Sequence, residues 1–131
     1  MTSAELKYLI SIDELYEGDG EKGIKLVSIA SKMNVTKVSV FRAIERLEKG
    51  GYIRRNDKNK VMITEYGYDQ LSEYRMMIDW LGSHLAKHCG VPTDIAFQDA
   101  IGATCAMNDK SRHGLAEFIK SGKADGRKEE Q

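Results

Sequence analysis

The chain has 131 residues, with 20 Lys and Arg balanced by 20 Asp and Glu, and 41% hydrophobic residues. That is enough for one domain with an extension or two small ones, and zero net charge excludes global steering toward a polyanion, leaving only local clustering. Two cysteines do not make a disulfide scaffold. With no charged-then-apolar leader and no apolar run of membrane-spanning length, a cytoplasmic protein with reduced thiols and no membrane partner is expected.

Residues Ser3 to Glu17 read as a helix whose apolar positions Leu6, Leu9, Ile10, Ile12, Leu15 and Tyr16 spread over a wide arc, as on a helix covered from more than one side. Gly18 to Gly23 is a loop by composition. A short helix from Lys25 to Met33 turns inward Ile29, Ala30 and Met33, and Asn34-Val35 makes a tight turn with Val35 expected inside. Thr36 is a suitable N-cap for the next helix. There Val40, Ala43, Ile44 and Leu47 recur as one buried stripe, while Ser39, Arg42, Glu45, Arg46 and Lys49 take the opposite side. Gly50 and Gly51 stop it.

Tyr52–Arg55 and Val61–Thr64 are short β-rich runs around Asn56-Asp57-Lys58-Asn59, a hairpin by its turn chemistry. Residues 36–60 hold eight Lys or Arg against three acids, whereas residues 1–24 hold two against six. A basic segment on a neutral protein is the footprint of nucleic-acid binding. Helix, turn, helix and basic hairpin together make a winged helix-turn-helix, with duplex DNA as its expected partner. Arg42, Arg46 and Ser39 are the candidates for groove and phosphate contacts, joined by Thr36 and Lys37 at the helix start. Arg54, Arg55, Lys58 and Lys60 are the candidates on the wing. Phe41 stands beside that face, where it meets a thymine methyl or closes the core.

A long helix then runs from Glu65 to about Lys87 behind a Thr64 cap. Leu71, Tyr74, Ile78, Leu81 and Leu85 form a seam at 3, 4 spacing, expected to meet a two-fold partner. Gly90-Val91-Pro92 ends that helix. Another follows to about Met107, thin along Ile95, Ala96, Ala100, Ala103 and Ala106. A last one, from Lys110 to Ile119, carries Leu115, Phe118 and Ile119. The expected architecture is mainly α with a small β-hairpin: a winged helix-turn-helix over 1–65, an all-helical dimerisation region over 66–120, and a polar, disordered tail over 121–131.

The order of these landmarks resembles the diphtheria-toxin-repressor and manganese-transport-regulator family of metal-dependent repressors. AELKYLISIDEL, LVSIASKMNVTKVSVFRAIERLEKGGYI, MITEYG, GVP and AMND carry the resemblance over residues 3–119. It implies a dimer on a palindromic operator, switched on by ferrous or manganous ion. The family's ligand positions fall on Lys7, Ile10, Ile78, Gly82, Ile101, Thr104 and Cys105. Only Cys105 is a ready donor there, and these metals need several oxygen and nitrogen ligands. The fold and DNA-binding expectations carry over; the metal switch does not. Elsewhere His84 and His88 share a helix face, and with Cys105 they are the weak candidates for a divalent transition metal. No other cofactor is indicated.

The reading is therefore a homodimeric, sequence-specific regulator, a repressor by resemblance. The alternatives are the same fold switched by a small organic ligand or a partner protein, or an interaction module without DNA. An enzyme is not expected, because there is no Gly-rich phosphate loop, no H-E-x-x-H and no local nucleophile motif.

Overall fold

The computed structural model describes residues 1–19 and 23–123. Its elements are α1 (Ser3–Asp19), α2 (Leu26–Met33), α3 (Lys37–Lys49), β1 (Ile53–Arg55), β2 (Val61–Ile63), α4 (Glu65–His88), α5 (Thr93–Ala106) and α6 (Asp109–Lys120). The fold is a winged helix-turn-helix followed by a helical region. Two compact units are formed, Met1–Leu71 and Ser72–Gln131. No helix among the described residues is long and apolar enough to cross a membrane.

In the first unit, α1 begins at a reciprocal cap. Thr2 N donates to Glu5 Oε1, and Glu5 N donates to Thr2 Oγ1, both at 3.1 Å. Leu6, Leu9 and Ile12 then stand fully buried, as do Ile29 of α2 and Val40, Ala43 and Ile44 of α3. The α2–α3 turn rests on Asn34, whose φ of 55° is left-handed, with Val35 N reaching back to Ala30 O at 3.1 Å. That reversal throws Val35 outward. It is 38% exposed, not buried as the turn pattern suggested.

At the other end of α3, Gly51 N bonds Glu48 O and Tyr52 N bonds Leu47 O, each at 3.0 Å. This is a Schellman stop, with Gly51 in the left-handed position at φ 82°. Thr64 ties the stop to the next helix: its hydroxyl donates to Gly51 O at 2.6 Å and accepts from Gly67 N at 2.9 Å. Gly67 is required here for clearance, because a Cβ on it would lie 2.0 Å from the Tyr52 carbonyl oxygen.

The wing pairs antiparallel, Ile53 with Ile63 and Arg55 with Val61. Its turn is held by Asn56 Oδ1, which accepts from Lys58 N at 2.9 Å and Lys60 N at 3.0 Å, while Asn59 takes φ 60°. Ile24 adds a rung that the sequence pattern does not announce, exchanging two 2.8 Å hydrogen bonds with Val61. Of the expected Gly18–Gly23 loop, residues 20–22 lie outside the described residues, and α1 continues to Asp19.

In the second unit, Tyr74, Met77 and Ile78 of α4 are buried, with Ala96, Ala100 and Thr104 of α5. The Thr104 hydroxyl is satisfied by Ala100 O at 2.7 Å. On α6 the inward positions are Arg112 and Ala116. Leu115 and Ile119 are half-buried and Phe118 is exposed, a different phase from the expected apolar one. The guanidinium is why: it lies 4.3 Å from the Tyr74 ring centre, 3.2 Å from Glu73 and 2.8 Å from Asp109. A buried arginine is tolerated where carboxylates and an aromatic face receive it. Of the expected tail, Ser121 and Gly122 close the α6 terminus through bonds to Glu117 O and Ile119 O, and residues 124–131 lie outside the described residues.

Candidate nucleic-acid interface

The outward face of α3 is set by its buried stripe. With Val40, Ala43, Ile44 and Leu47 inside, helical spacing leaves Lys37, Val38, Ser39, Phe41, Arg42, Glu45 and Arg46 outside. Thr36 caps the helix as expected, its Oγ1 accepting from Ser39 N at 3.1 Å. The same hydroxyl stands 3.0 Å from Ser39 Oγ, so Ser39 is already engaged in the cap.

The cations divide into two groups. Lys37, Arg42, Arg54, Lys58 and Lys60 take part in no ion pair among the described residues. Arg46 and Arg55 do. Arg46 Nε stands 3.3 Å from Glu5 Oε2, although Arg46 remains about half exposed. Arg55 is held more firmly, with Nε at 3.2 Å and a second nitrogen at 2.6 Å from Glu48 Oε1. It also reaches Asn59 Oδ1 at 3.4 Å and lies over the Phe41 ring at 5.5 Å. The Arg55 hydrogen bond holds the Glu48 carboxyl below its ordinary range, outweighing partial burial, and Glu48 in turn raises Arg55. The wing is thereby fastened to the recognition helix at the cost of one candidate phosphate contact.

Two open concavities flank this face. One, of about 440 Å³, is lined by Arg42, Arg46, Lys49 and Arg55 with Glu45 and Glu48 between them. The other, of about 520 Å³, is largely apolar and runs along Val27, Val38 and Phe41. Sequence reading left Val27, Val38, Glu5 and Glu48 out of the site. The T-x-x-E spacing at residues 2–5 was the one available signal for Glu5.

The second unit places the remaining candidates. Leu71, at the end of the first unit, and Tyr74 and Ile78 are buried within the chain, while Leu81 and Leu85 are half-buried. His84 Nδ1 lies 2.8 Å from Trp80 O, and its ring is 4.6 Å from Trp80 and 5.3 Å from His88. Cys89 is exposed and Cys105 half-buried, and no disulfide joins them. No group of three or more His, Cys, Asp or Glu among the described residues could share an ion. The ligand positions implied by the family resemblance do not fit iron or manganese either. Ile78 is buried and apolar, the Thr104 hydroxyl is spent on its own helix, and a Cβ on Gly82 would meet the Phe97 ring at 2.6 Å. Lys7 brings a positive charge where a ligand is needed.

Comparison with known proteins agrees with this geometry. Residues 1–60 match the model of the MarR family. No curated protein matches the chain. Among solved structures, the hypothetical protein SSo2273 from Sulfolobus solfataricus is similar at 21% identity and a TM-score of 0.69, over 91% of this chain and 89% of that one. The manganese regulator SloR is similar at 22% identity and a TM-score of 0.69, over 88% of this chain and 53% of its own. IdeR of T. acidophilum gives 21% identity and a TM-score of 0.60, over 88% and 53%. The chain thus spans about half the length of SloR and IdeR. The likeness is one of fold, and it is the fold that the landmarks in the sequence implied.

Proposed function

We propose that this protein is a DNA-binding transcriptional regulator that acts on a specific operator as a homodimer, most simply as a repressor, and without the family's metal switch. The observation that carries the reading is the outward face of α3: Lys37 and Arg42 stand exposed, with no ion pair among the described residues, beside a hairpin that presents Arg54, Lys58 and Lys60. In this reading α3 enters the major groove, where arginine grips a guanine edge with two hydrogen bonds. The wing cations meet phosphates and add affinity without sequence information. Winged-helix likeness over both comparisons supports the class. Leu81 and Leu85, with exposed Ile95 and Phe118, are among the apolar positions of the second unit that a second copy could cover. Control then comes from constitutive binding, a small organic ligand or a partner protein.

The test is selection of bound duplexes from a random pool, followed by gel-shift titration with and without EDTA. Recovery of one two-fold symmetric sequence, bound equally in both conditions, is the expected result. Loss of binding in EDTA, restored by manganese or iron, would reinstate the metal switch. Recovery of no duplex would remove the function.

A further inference from the structure

We infer that the apolar groove along α3 reads the 5-methyl groups of thymines in the major groove, making Val38 and Phe41 specificity-determining residues. The inference rests on the DNA-binding reading above and deepens it. Val27, Val38 and Phe41 are 50%, 60% and 44% exposed and line one continuous groove of about 520 Å³. Three large apolar side chains left side by side on a small protein mark a contact surface. They are not misplaced core, because the buried stripe of the same helix is complete without them.

The charges bordering the groove decide what covers it. Lys37 and Arg42 line it together with the carboxylate of Glu45. A surface made of phosphates alone offers no donor to that carboxylate, whereas base edges do. The floor of a DNA major groove suits all three kinds of group: phosphates for Lys37, a guanine edge for Arg42, the amino group of cytosine for Glu45, and thymine methyls for the apolar strip between. Phe41 is held for this task, since the Arg55 guanidinium lies over its ring at 5.5 Å and Glu48 fixes that guanidinium. One face of the ring is covered from within, and the rest remains available.

The experiment takes the selected duplex and replaces each thymine in turn by deoxyuridine, which lacks only the methyl. Titrations use the 131-residue chain and its Val38→Ala and Phe41→Ala variants. One or two thymines per half-site are expected to lose about fourfold in affinity on replacement, the worth of one buried carbon. At those positions Val38→Ala should bind thymine and uracil duplexes alike, with an unchanged salt dependence. Alanine at an exposed helical position does not threaten folding. Salt-dependent binding with no methyl-sensitive position would overturn the inference and leave the DNA-binding reading standing. Absence of salt-dependent binding to any duplex would overturn both. Dissociation of a dimer by Val38→Ala, with methyl sensitivity absent, would assign the groove to a second copy of the chain and also overturn it.

Discussion

The first two turns of α3 and its last two turns both send arginine outward, but only the second set is answered from within the chain. Arg42 has no carboxylate partner among the described residues, whereas Arg46 meets Glu5, and the wing's Arg55 meets Glu48 on that same last stretch. The basic count of the segment, eight Lys or Arg, therefore overstates the positive charge it can offer a phosphate. Among the described residues, Arg42 near the helix start is free to bind, whereas Arg46 and Arg55 are used to hold α1 and the wing in place. Exposed ion pairs contribute little stability singly, so the second group is better understood as setting positions than as supplying energy.

The sharpest test of that division is to remove one arginine from each group. Arg42→Ala is expected to weaken operator binding by about 1–3 kcal/mol if its contact is bidentate. Arg46→Ala should cost less, because a bound phosphate would first have to displace Glu5. Gel-shift titration under one salt condition compares them, and equal losses would dissolve the distinction between the two halves. Next in size is the cap that starts the free half. Thr36→Ala should lower unfolding stability by about 1 kcal/mol, measured by urea titration, through loss of the bond to Ser39 N.

Glu5→Gln reverses the logic. Glutamine can keep the reciprocal cap with Thr2 but releases Arg46, and the plot of log affinity against log salt should steepen by about 0.9 per chain if Arg46 then takes a phosphate. An unchanged slope would mean that Arg46 points away from DNA even when free.

The smallest effect concerns acid. The Glu48 carboxyl is held below its ordinary value of 4.5 by Arg55, so its ionised form favours the folded state. That contribution is fully present above pH 4.5 and is lost as pH falls through the lower, folded-state value. Glu48→Gln should remove this part of the acid dependence, as followed by wing amide exchange. A variant whose wing keeps the same acid sensitivity would contradict the clamp.

How much of this was legible in the sequence follows the range of each interaction. Caps, stops and stripes are local, and Thr36, Gly51 and the Val40–Leu47 stripe read correctly because helix periodicity and turn chemistry act over a few residues. The ion partners of Arg46 and Arg55 are not legible, since Glu5 lies on another helix and Glu48 meets Arg55 only once the wing folds back beside α3. Arg112 was missed for a different reason. A charged residue is seldom fully buried, so the α6 pattern was phased on Leu115, Phe118 and Ile119, while Glu73, Asp109 and the Tyr74 face draw the guanidinium inward. Leu71, Tyr74 and Ile78 fit a seam by spacing, but spacing does not distinguish a partner's surface from the chain's own core. Burial leaves Leu81 and Leu85 as the seam positions still accessible to a second copy.

The most direct test of a cationic reading surface is the affinity of the intact chain for its selected duplex measured across a range of salt concentrations. Phosphate contacts by Lys37 and the wing cations predict a logarithmic slope of about −3 or steeper, at roughly 0.9 per contact. A slope near zero would contradict the account, because no surface built from Lys37, Arg54, Lys58 and Lys60 could engage duplex DNA without displacing its counterions.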